Sequence, residues 1–584
     1  MTLRVLRPSK AFTVPTRCVF LDVEPTVGVS PSGGMRREHT FGLGAAKVCF
    51  LQNGKKVDES SQRFSRPEQF WAWLDVVRSR KSCTWVFAHN IGYDLTLLEF
   101  WEQLMRSADE VVGFVIEDPP TIITIRRGKC LIKFVDVINY WRLPVYELAR
   151  VSQQPIEAVG VLGVQDTPTY EPCVANVEVI EKCVLGLVAL VSATRLCSFR
   201  ATASALSWDA WSKSFLTCRM VFDSSRKARL LERACYFGGR AQTFRLGRIT
   251  EQTTIVDVQS MYPAVMRANL YPRQLVHYSE ETTPEDLSDA LEDFECCAKV
   301  SLHAPHQPYP VRGESGITYH TRDGNYNLCG DELRAAFAAG IVCGVHAASV
   351  YARGDLFTRF VDHFYLEKVD ARRAGDIPRE QLAKLMLNSL YGKFAQRGRK
   401  WMCRDDIFSP GPYQYWYDHP HGSTTAVRCR SIALRVESQT PGPDPIQTLP
   451  AVSGCVTANA RCVLDGLLRI AGPEHVHYCD TDSLHVDGDG LRHLVDSGQV
   501  QPGELGRLRI IAAGPSAYYW GHQHYRVGDR YICAQIKPEA IEIADGMYLQ
   551  EARTGIEMTL EKGILDRVEV SGRVINTKRG RYHE

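Results

Sequence analysis

Three short stretches carry residue types that could do chemistry together. In "HYCDTDSLHV", residues 477–486, Asp480 and Asp482 are separated by one residue inside a run of alternating apolar residues. That pattern predicts a hairpin whose three-residue polar turn presents both carboxylates at its tip. Carboxylates that close repel, so at least one pKa should rise unless a buried Lys, a buried Arg or a divalent metal compensates. A lone D-T-D is equally well explained as a solvated acidic turn. In "TTIVDVQSMYP", 253–263, a strand carries Asp257 into a chain reversal followed by Ser260, Tyr262 and Pro263. A third carboxylate at a strand end is what a pair of Mg²⁺ ions needs to be held against a phosphate chain. In "AKLMLNSLYGKFA", 383–395, Lys384, Asn388 and Tyr391 share one predicted helix face, and Leu382, Leu385, Met386 and Leu390 form the apolar side. Such a stripe can meet a triphosphate with its cation and a base pair with its ring. The plain alternative is a helix that ends at Gly392.

The elements that must position these residues are alternating α and β. "CVFLDVE" and "TWVFAHN" read as strands, "PEQFWAWLDVVRSR" and "YDLTLLEFWEQLM" as helices, and "TIITIRRGKCLIKFVDVINYW" as a hairpin followed by another strand. Helical periodicity dominates from about 175 to 233 and forms a bridge between domains. Beyond it come strand, excursion, helix, excursion and hairpin. The Pro/Gly/His-rich stretches 302–330 and 408–450 read as surface loops or inserted subdomains.

The bulk numbers bound the function. A chain of 584 residues is too long for one core. Its net charge of +2 leaves any nucleic-acid contact to local basic patches. The cysteines number nineteen and include no C-x-x-C pair, which argues against a zinc ribbon and a secreted disulfide framework and fits reduced cytosolic thiols. The longest apolar run, "VLGLVALV" at 184–191, is too short to span a bilayer, and the N-terminus lacks the apolar core of a signal peptide. These features predict a soluble intracellular protein.

In this order the three stretches resemble motifs A (D-x-x-S-L-Y-P), B (K-x-x-x-N-S-x-Y-G) and C (Y-x-D-T-D-S) of family B DNA polymerases. Motif B is similar to that of the protein-primed group from small linear phages and linear plasmids. The resemblance covers essentially the whole chain. It implies an α/β and α+β multidomain fold, with a ribonuclease-H-like exonuclease domain at 1–197 and a right-hand polymerase domain at 198–584. Within the latter it implies motif A of the palm at 253–266, an insertion at 275–355, fingers at 356–395, an insertion at 396–450, motif C of the palm at 451–490 and a small thumb at 535–584.

Residue by residue, the resemblance implies that Asp257 and Asp482 are the main ligands of two Mg²⁺ ions, for which Mn²⁺ can substitute, with Asp480 in support. Tyr262, beside Ser260, would exclude a ribonucleotide's 2′-hydroxyl. Lys384 would meet the triphosphate, while Asn388 and Tyr391 would check the nascent pair. Between 371 and 400 eight basic residues face two acidic ones, which favours phosphate contact over a merely solvated face. "YFGGR", with Tyr236, Gly238 and Gly239, resembles the Y-x-G-G element that touches template. The K-x-Y element is matched by "VGDRYI", which keeps Tyr531 but puts Asp529 in the lysine position, with Arg530 as a candidate substitute. The implied partners are a DNA primer-template, deoxynucleoside triphosphates and a terminal priming protein, around a monomer in the host cytosol. The tail would end in a basic strip at Lys578, Arg579 and Arg581.

Asp22 and Glu24 in "FLDVE" alternate on one strand and so share a face. With Asp94 in "HNIGYD" they resemble the family's exonuclease metal ligands, and Asn90 would hold a frayed primer end. The third exonuclease motif, Y-x-x-x-D, is matched only by "EPCVANVEVI", with Pro172 and Asn176 in the tyrosine and aspartate positions. An impaired exonuclease is therefore expected. Three rivals stand beside this reading: a family B polymerase that starts from an ordinary nucleic-acid primer or from none, a catalytically silent DNA-binding relative, and a chain that is chiefly a nuclease.

Overall fold

The computed structural model describes residues 4–8, 11–29, 36–107, 109–117, 120–154, 168–223, 225–305, 307–313, 316–419, 426–441, 448–534, 536, 540–544, 547–553, 560–562 and 565–576. The expected basic strip at Lys578, Arg579 and Arg581 lies outside them.

The N-terminal half is built on a ten-stranded sheet whose centre is parallel. Strand Arg17–Val29 pairs in parallel with Thr84–Ala88, which pairs in parallel with Cys130–Asp136. Parallel neighbours must be buried on both faces. Accordingly Val19 and Leu21 pack with Val86 and Trp101 on one side, and Cys18 and Phe20 pack toward the helix Tyr170–Thr194 on the other. "VLGLVALV" lies in that helix, with Val184, Leu187, Val188 and Val191 buried. Among the described residues no helix is long and apolar enough to cross a membrane. All nineteen cysteines are free thiols.

Two local expectations need correcting. The helix expected over "YDLTLLEFWEQLM" is two helices, Ile91–Leu97 and Phe100–Arg106, broken where Glu99 turns left-handed at φ 52°. The break lets Leu97, Leu98, Phe100 and Trp101 all be fully buried, which one straight helix face could not do. The strand expected after the 121–136 hairpin is instead a short 3-10 turn, Val137–Asn139, capped by Asp136 accepting from Ile138 N at 2.9 Å.

The second half centres on a five-stranded antiparallel sheet ordered Ala241–Thr243, Val476–Asp480, Ser483–Val486, Thr253–Val258 and Leu508–Gly514. Its middle strands place two of the three motifs side by side. The helix Pro450–Ala471 is mostly buried and packs against the helices Arg226–Cys235, Met261–Ala268 and Gly330–Ala338.

The stretches left open between loops and subdomains are folded. Residues 271–354 form a four-stranded antiparallel sheet with a core of its own around Leu287, Val300, Leu328 and Leu333. Residues 399–441 form a second four-stranded sheet. It leans on the N-terminal half, with Tyr413 against Trp101 (ring centroids 5.3 Å) and Arg430 Nη1 donating to Phe114 O at 3.1 Å. The C-terminal strands Met547–Arg553 and Val568–Asn576 extend the N-terminal sheet through His39↔Val568 and Glu38↔Glu569. The expected thumb segment thus pairs with the opposite end of the chain.

Candidate active site

Asp257 and Asp482 meet because their strands are neighbours. Asp257 pairs in register with Ser483, and Val258 N donates to Asp482 O at 2.7 Å. The hairpin turn is tighter than expected. Asp480 is still a strand residue, opposite Ser483, so only Thr481 and Asp482 form the turn. A two-residue turn with its first residue at positive φ is a place for glycine, yet Thr481 sits there at φ 58°. A β-branched residue is strained in that region. Three interactions hold it: Thr481 N donates to Arg240 O at 2.7 Å, its hydroxyl donates to Asp480 Oδ1 at 3.1 Å, and its side chain fills the space over Gly239.

The electrostatics are those of a site built for cations. Burial, then Asp257, then Asp480 push the Asp482 carboxyl up to about 7. Asp480 is held by hydrogen bonds from Tyr478 Oη at 3.1 Å and Gln523 Nε2 at 3.4 Å. Three hard oxygen donors with one carboxylate reluctant to ionise match the needs of divalent ions such as Mg²⁺.

Motif A turns from strand to helix at Ser260, left-handed at φ 56° and N-cap of the helix Met261–Ala268. Its hydroxyl accepts from Lys368 Nζ at 3.0 Å. Lys368 lies on the helix Thr358–Ala374, and burial, with Arg372, Lys384 and Arg509 nearby, lowers its ammonium to about 8. Sequence reasoning missed this residue because the basic run was counted from 371, three residues too late.

The motif B helix spans Ile377–Ser389, with Lys384 and Asn388 exposed and Ala383, Met386 and Leu387 buried. Leu390 is buried as expected, while Leu382 and Leu385 are only half-buried. Tyr391 is not on that helix. It opens a 3-10 turn, Tyr391–Ala395, whose first carbonyl is taken by the Ser453 hydroxyl at 2.7 Å. The turn swings the Tyr391 ring onto Tyr262, 4.6 Å between centroids. The charge run is less free than its composition suggests, since Arg372 is held by Glu380 at 2.8 Å and Arg379 by Glu367 at 2.7 Å.

The two glycines of "YFGGR" differ. A Cβ on Gly238 would meet nothing within 4 Å, whereas one on Gly239 would strike Thr481. Tyr236 is half-buried near Tyr391. The loop hangs on Arg461, which sequence reasoning also missed: its Nη1 donates to Phe237 O at 3.1 Å and Gly238 O at 2.6 Å, and Glu332 clamps its other face at 2.6 and 2.7 Å. Near Tyr531 the neighbouring cation is Arg526, its cross-strand partner, 5.2 Å over the ring. Arg530 reaches Tyr525 instead, and Asp529 is exposed.

In the N-terminal half Asp22, Glu24, Asp94 and Asn176 converge. Val23 N donates to Asp94 Oδ1 at 3.0 Å, and Asn176 Nδ2 donates to Asp22 Oδ2 at 3.2 Å. Burial, then Glu24, raise Asp22 to about 8; burial, then Asp22 and Asp136, raise Asp94 as well. Asn90, exposed and left-handed at φ 61°, has its backbone N–H held by Asp136 Oδ1 at 3.0 Å. Glu178 is exposed, and Tyr170 lies under Arg63 at 5.4 Å.

Comparison with known proteins agrees with this geometry. Residues 173–402 match the family model of DNA polymerase type B, organellar and viral. The DNA-directed DNA polymerase of Enterobacteria phage PRD1 is 30% identical over 257 residues, 43% of each chain. The DNA polymerase of Bacillus phage phi29 is 26% identical over 283 residues, 46% of this chain and 42% of the relative. The sequence alignments thus span less than half of these curated relatives. In three dimensions the likeness is longer. Phi29 DNA polymerase in its orthorhombic crystal form superposes with a TM-score of 0.63 at 16% identity, covering 97% of this chain and 100% of that one. Its ternary complex with primer-template DNA and incoming nucleotides gives a TM-score of 0.64 at 17% identity, with the same coverage. Residues 173–402 are thus similar to the type B DNA polymerases of organelles and viruses, and the fold of the chain is that of phi29 DNA polymerase.

Proposed function

We propose that the protein is a DNA-directed DNA polymerase that adds deoxynucleotides to a primer by a two-metal-ion mechanism. The observation that carries this is the meeting of Asp257 and Asp482 on adjacent strands, with Lys368 of the helix Thr358–Ala374 bonded to Ser260 just beyond Asp257 and Lys384 of the helix Ile377–Ser389 near Lys368. Two divalent ions, when bound, would supply the positive charge that activates a primer 3′-hydroxyl and steadies the leaving pyrophosphate. The chain's own residues do the rest. Asp257 and Asp482 hold the ions, and Asp480 is fixed in support. Lys368, whose ammonium is lowered to about 8 by burial and neighbouring cations, is held in its charged form by the triphosphate, and Lys384 adds a second cation.

Tyr262, braced by Tyr391, fills the place of a 2′-hydroxyl and so selects deoxynucleotides. Asn388 and Tyr391 check the nascent pair. Gly238 leaves room for template backbone, and Arg461 with Glu332 keeps its loop in place. Tyr531 with Arg526 faces the primer strand. The folded insertions at 271–354 and 399–441 support initiation from a terminal protein, in a host cytosol. In the N-terminal domain the neutral Asn176 amide stands where a fourth charged ligand is needed, and hydrolysis of a frayed 3′ end is accordingly weak.

The test is extension of a primed template by the purified chain with Mg²⁺, run with and without labelled candidate terminal proteins of the parent replicon. Extension of the nucleic-acid primer supports the polymerase, and a covalent protein–nucleotide adduct supports protein priming. Extension without any adduct, on a replicon whose ends carry no protein, reverts initiation to an ordinary primer. No extension at all refutes the reading.

A further inference from the structure

Opposite Asp257 in the sheet register stands Arg509, on the edge strand Leu508–Gly514. Its Nε donates to Asp257 Oδ1 at 3.2 Å, and its side chain is 44% exposed against 22% for the aspartate. Among the described residues this is the one ion pair made by any of the three clustered carboxylates. The contact uses a single N–H and forgoes the two-pronged fork that makes arginine–carboxylate pairs strong. An exposed single-pronged pair holds its partners loosely. Arginine cannot leave by losing its proton, so it can release the carboxylate only by moving.

We propose that Arg509 is a movable counter-ion of Asp257, a positioning residue that occupies Oδ1 in the empty site and yields it when a divalent cation arrives with a nucleotide's phosphates. The inference rests on the metal-dependent polymerase reading above. A divalent cation bound to Asp257 repels the guanidinium that donates to Oδ1, so metal alone drives it toward Lys368, which already feels its repulsion. A triphosphate changes the balance by offering the displaced guanidinium a new anionic partner. Metal binding and nucleotide binding then reinforce each other, and by linkage the coupling is the same read from either side.

The test is Mn²⁺ titration of the full chain, followed by the electron paramagnetic resonance of free Mn²⁺, with and without a non-hydrolysable deoxynucleoside triphosphate. Wild type, Arg509→Gln, Arg509→Lys and Asp257→Asn are compared. Without nucleotide, Arg509→Gln should bind Mn²⁺ about two- to fivefold more tightly than wild type, the weight of an exposed ion pair. In that variant the extra affinity conferred by nucleotide should shrink, with Arg509→Lys in between. Equal Mn²⁺ affinity in wild type and Arg509→Gln, at a site that Asp257→Asn removes, would overturn the proposal and leave Arg509 a plain cross-strand pair, with the polymerase reading intact. If wild type has no Mn²⁺ site that Asp257→Asn removes, the metal reading falls and Arg509's role falls with it.

Discussion

Thr481 and Gly239 compete for one space: a Cβ on Gly239 would lie 2.7 Å from Thr481 Oγ1 and 2.8 Å from its Cγ2. Thr481 is the strained residue of the turn that presents Asp482, so the glycine supports the carboxylate from behind. Gly239→Ala should push the turn aside and lower primer extension by about 10²-fold, the usual effect of misplacing a reacting group by an ångström. Gly238→Ala, which meets nothing in the protein, should keep the carboxylates in place and weaken only template binding. Steady-state extension rates and template affinity for the two variants separate these effects. Similar losses of rate in both would remove the distinction.

Tyr262 is braced by Tyr391 at 4.6 Å between ring centroids, which fixes a ring beside motif A. Tyr262→Val should raise ribonucleotide relative to deoxynucleotide incorporation by at least about tenfold, since a steric exclusion is lost without any polar penalty. Competition between the two substrates on one template measures the ratio. An unchanged ratio takes Tyr262 out of sugar selection.

Asn176 donates to Asp22, so the amide stands beside the exonuclease-like carboxylates without adding charge. Wild-type digestion of single-stranded DNA should be slow, Asp22→Ala should remove little, and Asn176→Asp should raise the rate by about tenfold or more by restoring a charged ligand. Timed digestion of an end-labelled oligonucleotide tests all three. Brisk wild-type digestion that Asp22→Ala abolishes would show a complete nuclease.

Glu232, on the helix that leads into "YFGGR", is buried, and burial first of all raises its carboxyl from 4.5 to about 7 despite Arg229 and a 2.8 Å hydrogen bond from Tyr351. Its folded pKa exceeds its unfolded one, so its stabilising contribution is complete below about 4.5 and is lost as pH rises through about 7. The full swing is on the order of 3 kcal/mol. Glu232→Gln keeps an acceptor for Tyr351 without ionising. The melting temperature of wild type should therefore fall between about pH 4.5 and pH 7.5 more steeply than that of Glu232→Gln. Parallel curves would mean that Glu232 ionises freely in the folded protein.

The parts legible in the sequence were those set by local pattern. The strand carrying Asp257, the Asp480–Asp482 hairpin and the polar stripe of Lys384 and Asn388 all follow from residue order. The parts that were hidden depend on what lies across space. Arg509 is tied to Asp257 only through strand register over some 250 residues, and nothing near Arg509 in the chain marks it. The pairing of Val568–Asn576 with the N-terminal sheet is non-local in the same way. Tyr391 was assigned to the helix face by spacing, yet the Ser453 hydroxyl takes its carbonyl and tightens the turn. The loop-like composition of 408–450 concealed a sheet because its aromatic residues bury themselves against another domain, as Tyr413 does on Trp101.

The most direct measurement is single-turnover extension of a primed DNA template in Mg²⁺ by wild type, Asp257→Asn and Asp482→Asn, with melting temperatures recorded on the same samples. The account predicts Mg²⁺-dependent extension by wild type, loss by at least about 10³-fold in each variant through removal of a charged ligand, and an unchanged fold. Extension near the wild-type rate by either variant would contradict it.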